Sequence, residues 1–206
     1  MMGQAMNRER KVRGHLKIAV ALAPALLLGG CLSLGGKVPE KLIGLTSDAR
    51  APAGDLAGAP LRDALVVLDP EADRRLDVQR VPVQVDDATI AYLKDATWVE
   101  RPARQFRRLL AETIRAKGGR LVVEAGDASE GGKTLLGGRL LDMGYDARSQ
   151  SVIVRFDAMR WNKAGDVVSR RFEASVPGVS PKAESVAPAL NKAANDVARQ
   201  VADWVG

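Results

Sequence analysis

Hydrophobic and polar residues alternate with a period of two over several stretches of the chain. Residues 151–161 are the clearest case, because Val152, Val154, Phe156 and Ala158 alternate with Ile153, Arg155, Asp157 and Met159. This pattern predicts a half-buried β-strand. The apolar run 64–68, which ends at Asp69-Pro70, predicts a buried strand, and further strands are predicted over 120–124, 135–145 and 167–176. Turn residues at 162–166 predict that the strands 151–161 and 167–176 form a hairpin.

Two other stretches have the helical period. Apolar residues recur every three or four positions from Phe106 to Ile114, between Pro102 and Gly118. A second stripe follows Ser180-Pro181, and Pro188 within it predicts a helix start nearer Ala187. Strands, a helix, more strands and a final helix predict an α+β fold: a largely antiparallel sheet with two amphipathic helices packed on one face.

Residues 78–99 carry a mixed signal. Val78–Val85 alternates but contains Pro82, which predicts an edge strand or an extended loop. Thr89–Leu93 and Thr97–Val99 flank Lys94–Ala96, which predicts a hairpin. Exposed strand edges pair readily with incoming strands. We therefore predict a partner-binding site formed by Val81, Pro82, Val83 and Trp98.

The N-terminal region contains an apolar run of a different kind. Residues 18–28 follow a basic segment, include Pro24 and lead into Gly29-Gly30-Cys31. A membrane-spanning helix needs roughly 20 apolar residues, so this shorter run is typical of an export signal. Leu28, Gly29, Gly30 and Cys31 resemble a bacterial lipobox, which predicts cleavage after Gly30 and acylation of Cys31. The alternative is a small buried cysteine after an ordinary signal peptide.

These patterns divide the chain into three parts. Residues 1–30 are the predicted lipoprotein signal peptide. Residues 31–60, rich in Gly, Pro and Ala, are the predicted flexible tether, with a short early edge strand near 42–46. Residues 61–206 are the predicted α+β domain.

Composition narrows the function. Removal of residues 1–30 leaves 26 Lys/Arg and 24 Asp/Glu, so the formal net charge falls from +6 to +2. That balance gives no support for nucleic-acid binding, which needs a basic face. His15 is the only histidine and Cys31 the only cysteine. The mature chain therefore lacks the side chains of the usual nucleophilic triads and Cys/His zinc sites, and we expect no catalytic residues, no metal and no cofactor.

Two residue groups leave alternatives open. Acidic residues cluster in sequence at Asp69, Asp73, Asp77, Asp86 and Asp87, and paired acids hydrolyse glycosidic bonds when one is held protonated. Nearby arginines favour solvated loop acids over a carboxylate-based hydrolase. Trp98, Trp161 and Trp204 are either core residues or markers of a ligand cleft or an interface.

Several motifs together resemble those of the ABC-type transport auxiliary lipoproteins, the PqiC-like family. They are the lipobox, Trp98 ahead of Pro102 and a helix, the run 135–146, and Arg170–Ala174 before a terminal helix. The resemblance covers roughly residues 61–205. It implies a non-enzymatic α+β lipoprotein in the periplasm, anchored to the outer membrane through Cys31.

The same resemblance implies the partners. They are an MCE-domain protein with an ABC permease and an ATPase, which traffic lipid between the two membranes, and a second copy of the chain is a further candidate. Two other functions stay open: a lipid-binding carrier domain with an apolar cavity between sheet and helices, and a scaffold of another envelope assembly.

Overall fold

The computed structural model describes residues 41–54, 58–124 and 134–206. The predicted signal peptide, its cleavage motif and Cys31 lie outside the described residues. The strands are β1 (Leu65–Val67), β2 (Glu71–Ala72), β3 (Arg80–Gln84), β4 (Ile90–Thr97), β5 (Val122–Glu124), β6 (Thr134–Asp146), β7 (Ser151–Trp161) and β8 (Val167–Val176). The helices are α1 (Pro102–Lys117) and α2 (Ala183–Val205).

The long strand β6 organises the sheet. On one side it pairs antiparallel with β7 along its length, and β7 pairs antiparallel with β8. On its other side β6 pairs in parallel with three short strands in succession, β1, β2 and β3. β5 then extends the sheet beyond β1, and β4 extends it beyond β3. The result is an open mixed sheet in which the antiparallel ladders are the longest.

Both helices pack on one face of this sheet, which confirms the predicted α+β architecture. The alternating residues of β7 show why: Val152, Val154, Phe156 and Ala158 are buried. Phe106 of α1 meets Phe156 edge to face, with ring centroids 5.2 Å apart. Phe172 of β8 lies 5.6 Å from the Trp204 ring of α2. We call the opposite side of the sheet, which carries Arg155 and Asp157, the open face.

The hairpin predicted over residues 89–99 is wrong. β4 runs without interruption from Ile90 to Thr97 and pairs with β3. The register shifts from Arg80↔Thr97 to Pro82↔Tyr92, and Asp95 has a positive φ of 54°. Lys94–Ala96 therefore forms a bulge in a continuous strand, because residues that suit a turn also suit the local kink of a bulge.

The prediction that Val78–Val85 lies at a sheet edge is also wrong. β3 is an internal strand, with β4 on one side and β6 on the other. The amide of Val85 donates to the carbonyl of Thr89 at 3.0 Å. Since hydrogen-bonded and non-hydrogen-bonded pairs alternate along an antiparallel ladder, Pro82 opposite Tyr92 falls at a non-hydrogen-bonded position. The absence of an N–H group on Pro82 therefore removes no hydrogen bond between β3 and β4.

Helix α2 begins earlier than predicted. It starts at Ala183, and Pro188 lies inside it with its side chain exposed. The stripe formed by Val186, Leu190, Val197 and Val201 is buried from the first turn onward. Burial of this stripe offsets the hydrogen bond that proline removes.

Candidate functional site

Residues 42–51 lie against both helices, and we call them the docked segment. Ile43 is buried and forms a parallel bridge with Trp98. The amide of Ile43 donates to the carbonyl of Thr97 at 2.8 Å, and the amide of Val99 donates to the carbonyl of Ile43 at 2.9 Å. The early edge strand predicted near 42–46 is thus reduced to a single bridge.

Side chains of both helices hold the backbone of the docked segment. On α1, the Oε1 atom of Gln105 accepts a hydrogen bond from the amide of Leu45 at 2.9 Å. On α2, the Oδ1 atom of Asn195 accepts from the amide of Asp48 at 2.9 Å, and its Nδ2 atom donates to the carbonyl of Thr46 at 2.9 Å. Gln105 and Asn195 are both buried, so their side-chain amides need hydrogen-bond partners within the protein, and the backbone of the docked segment provides them.

The docked segment corrects part of the predicted tether. Residues 31–60 were expected to be flexible, but the chain from Ile43 to Ala51 belongs to the folded unit. The amide of Ala51 donates to the Oε1 atom of Glu112 on α1 at 2.9 Å, and Arg199 of α2 lies 3.5 Å from the carboxylate of Asp48. Residues 43–51 are therefore part of the folded domain and not of a flexible tether.

The predicted partner-binding residues are gathered in one place, but inside the molecule. Val81 and Trp98 are fully buried at 0% exposure, Pro82 is buried and Val83 is half-buried. Ile43 of the docked segment lies against Trp98. Neither Trp98 nor Val81 presents its side chain to a partner in this fold.

Apolar side chains instead reach the open face where β6 begins and β7 ends. We call this cluster the open-face patch: Leu68, Leu135, Met159, Trp161 and Val167. Gly137 makes it compact, because a Cβ at that position would lie only 3.3 Å from both Leu68 and Trp161. Met159 and Val167 are exposed, and Trp161 is half-buried. The sequence already indicates this patch, since the apolar residue Met159 occupies a position on the polar side of the alternation in 151–161.

The middle of the open face is covered by charged pairs across the strands. Arg155 of β7 contacts Asp142 of β6 and Glu173 of β8. Arg171 binds Asp157 through two hydrogen bonds, of 2.6 and 2.7 Å. The guanidinium of Arg171 lowers the pKa of Asp157, and the hydrogen bond to Glu173 raises the pKa of Arg155. These groups remain charged at neutral pH and keep this part of the sheet face hydrated.

A cleft of about 370 Å³ opens beside these pairs. Its charged lining residues are Arg75, Arg148, Arg155, Asp87, Asp142 and Asp146. Arg75 already donates to Asp142 and to the carbonyl of Leu141, each at 2.6 Å. The balanced charges and the polar lining do not suit an acyl chain. The cleft also lies on the open face, whereas a lipid carrier was expected to use the space between sheet and helices.

The clustered acidic residues contact different partners. Asp69 pairs with Arg107 at 3.3 Å and Asp77 with Arg101 at 3.2 Å. Asp87 pairs with Arg148. The carboxylate of Asp86 accepts hydrogen bonds from the backbone amides of Ala88 and Thr89, which lower its pKa. These contacts hold loops in place.

The described part of the chain contains neither a cluster of metal ligands nor a membrane-spanning helix. Its acidic residues form no group of three or more that could hold a metal ion. No helix in residues 41–54, 58–124 and 134–206 combines the length and apolar character needed to cross a membrane.

Comparison with known proteins assigns the fold to a family. The model for the ABC-type transport auxiliary lipoprotein component matches residues 45–202. The chain belongs to this family. The matched range of the auxiliary lipoprotein includes all eight strands, α1 and most of α2. It also includes most of the docked segment, so residues 45–51 fall within the family's domain. No curated protein matches the chain.

Two of the solved structures that match share the fold of the auxiliary lipoprotein, and a third aligns more weakly. Protein XCC0632 from Xanthomonas campestris is 18% identical, with a TM-score of 0.65 over 80% of this chain and 94% of its own. An uncharacterized protein is 12% identical, with a TM-score of 0.61 over 81% of this chain and 100% of its own. PelC from Paraburkholderia phytofirmans, solved as a dodecamer, is 15% identical, with a TM-score of 0.40 over 72% of this chain and 92% of its own.

Proposed function

We propose that this protein is the docking component of an MCE-type ABC transporter that moves lipids between membranes. Acyl groups on Cys31 hold it on the periplasmic face of the outer membrane, and its domain binds the MCE subunit. The observation that carries the proposal is the match of the transport auxiliary family to residues 45–202. The lipobox-like sequence Leu28–Cys31 supports the anchor, since two or more acyl chains give stable membrane attachment.

The open-face patch and the neighbouring edge of β8 are the proposed docking surface. In the described residues β8 pairs only with β7, so the other side of this ten-residue strand is unpaired. Val167 and Val168 are each 48% exposed on it. An unpaired strand edge accepts a partner strand through backbone hydrogen bonds, and adjacent apolar side chains add specificity. The partner is the MCE subunit, with a second copy of the chain as the alternative.

Site-specific crosslinking in cells tests this surface. A photoreactive amino acid at Val168 should capture the MCE subunit, because that position lies on the unpaired edge. The matched control is Lys192, an exposed position on α2 whose side chain is 65% accessible. Capture of the MCE subunit from Lys192 and not from Val168 would move the docking surface to the helices. Capture of only non-transport envelope proteins from both positions would contradict the function itself.

Mass spectrometry of the protein from its native host tests the anchor. We expect the N-terminal peptide to begin at Cys31 and to carry acyl groups. The Cys31→Ser variant should carry no acyl groups while its domain still folds, because Cys31 precedes the docked segment and every strand and helix of the domain. An unmodified thiol at position 31 in the membrane-bound wild-type protein would contradict the anchor.

A further inference from the structure

The covalent path from the anchor fixes which part of the domain comes near the membrane. Lys41 is the first described residue and follows Cys31 by ten positions. Ten residues of fully extended chain span at most roughly 36 Å. The docked segment then fixes the chain to the domain from Ile43 onward. The surface around Leu42 must therefore stay within this reach of the bilayer, provided that Cys31 is acylated as proposed above.

That surface combines two exposed apolar side chains. Leu42 and Val99 are each 52% exposed. Leu42 precedes and Val99 follows the bridged pair Ile43 and Trp98; the amide of Val99 donates to the carbonyl of Ile43, and Gln79 donates through Nε2 to the carbonyl of Val99 at 3.1 Å. The side chains of Val99 and Leu42 thus project from a fixed backbone and not from a free loop.

Three arginines follow Val99 in the chain. Arg101 precedes α1, Arg104 and Arg108 lie in its first two turns, and all three side chains are about half exposed or more. The first turn of α1 contains no acidic residue, although the helix dipole favours one there. Positive charge at this end of the helix is therefore unfavourable for the helix itself.

Nearby carboxylates neutralise only part of this charge. Glu100 contacts both Arg104 and Arg108, and Asp77 contacts Arg101. Lys41, at the point where the chain enters the domain, is also exposed. Within this set, the four cations Lys41, Arg101, Arg104 and Arg108 thus outnumber the two carboxylates of Asp77 and Glu100.

We infer that this anchor-proximal surface (Lys41, Leu42, Val99, Arg101, Arg104 and Arg108) rests on an anionic bilayer. Leu42 and Val99 enter the interfacial region, and the arginines pair with lipid phosphates. The inference rests on the proposed acylation, which brings the surface to the lipid. Contact at this surface orients the domain, so that β8 at the opposite side of the sheet points away from the bilayer. From β4 to β8 the sheet spans four strand spacings of about 4.8 Å.

A fluorescent probe at Val99 tests the contact. The acylated full-length Val99→Cys protein, whose Cys31 thiol is blocked by lipid, is labelled with an environment-sensitive dye such as NBD. It is then reconstituted into phosphatidylethanolamine vesicles with and without phosphatidylglycerol. We expect a blue shift and protection from iodide quenching that are larger with phosphatidylglycerol. The matched control is Val168→Cys, which is exposed to a similar degree on β8 and should show neither change.

A charge variant tests the arginines. Combining Arg101→Gln and Arg104→Gln with the Val99 probe should remove the dependence on phosphatidylglycerol. An unaltered dependence would contradict the ionic part of the inference.

The remaining outcomes separate this inference from the proposed function. Vesicle-bound protein with an unshifted Val99 probe would overturn the inference and leave the anchor intact. Protein that is absent from the vesicle fraction would overturn both. Equal shifts at Val99 and Val168 would overturn the inference, because the domain would then contact the bilayer without a preferred face. Protection of Val99 in native membranes but not in protein-free vesicles would assign the surface to a protein partner, and so would also overturn the inference.

Discussion

At the scale of single residues, three of the four buried polar side chains in the described chain share one task. Gln105, Thr113 and Asn195 are buried, and each contacts the docked segment. A buried amide destabilises a protein unless its hydrogen-bonding groups have partners. These residues and the backbone of 45–48 satisfy each other. The polar positions on the inner sides of both helices are thus explained by the segment that they hold.

We predict that Asn195→Ala lowers the free energy of unfolding by about 1–3 kcal/mol, because it leaves the amide of Asp48 and the carbonyl of Thr46 without partners. Denaturant unfolding measures the loss, and hydrogen exchange should show faster exchange at the Asp48 amide. Lys192→Ala, which removes only an exposed pair with Asp196 on the same helix, should change stability by less than about 0.5 kcal/mol. Equal effects of the two substitutions would contradict a specific role for Asn195.

At the scale of elements, α2 tolerates a proline because its buried stripe holds it in place. Pro188 is the sixth residue of the helix and cannot donate to the carbonyl of Glu184. The residues packed beneath it include Val186 and Leu190, both fully buried. Tertiary packing thus overrides the local preference against helix at this position.

We expect Pro188→Ala to raise the free energy of unfolding by about 1–3 kcal/mol, because it restores a helical hydrogen bond at an exposed site. The gain is reduced by the greater flexibility of the unfolded chain without proline. Thermal and denaturant unfolding measure the change. Pro181→Ala, which lies before the helix and interrupts no helical hydrogen bond, is the control and should have little effect. A loss of stability in Pro188→Ala would show that the proline fixes the start of the helix.

The spacing of apolar residues along the sequence predicts those strands and helices that are determined by neighbouring residues. The alternation in 151–161 and the three-and-four spacing from Phe106 to Ile114 both predict their elements correctly. The sequence does not distinguish a turn from a bulge at Lys94–Ala96, because the same residue types suit both. It also does not predict the docking of residues 42–51, since that depends on Asn195, 147 positions from Asp48. The internal position of β3 likewise depends on its pairing with β6, which is distant in sequence.

At the scale of the whole molecule, charged pairs link strands and loops over the surface. The pKa values of Asp157, Glu100 and Asp86 are all lowered: Arg171 lowers the first, Arg108 the second and the Ala88 amide the third. A carboxylate whose folded pKa is lowered stabilises the protein above its unfolded pKa, here 3.8 for Asp and 4.5 for Glu. That stabilisation is lost as the pH falls through the folded pKa.

We therefore expect the free energy of unfolding to be nearly constant between about pH 6 and 8, because carboxylates do not titrate there. We expect it to fall below about pH 4.5. Urea unfolding of the mature protein at a series of pH values measures this dependence. Asp157→Asn should make the acid loss shallower, because it removes one of the titrating groups. A marked loss of stability between pH 8 and 6 would contradict the assignment, since His15, the only histidine, lies in the predicted signal peptide.

The hydrogen bonds between Asp48 and Asn195 join the beginning of the described chain to its final helix. During synthesis, the bonds from Thr97, Gln105 and Glu112 to this segment can form first, and those from Asn195 follow only when α2 has been made. A copy that terminates before α2 would therefore leave residues 46–48 without these partners, and a protease would cleave the chain there more readily than in a finished copy.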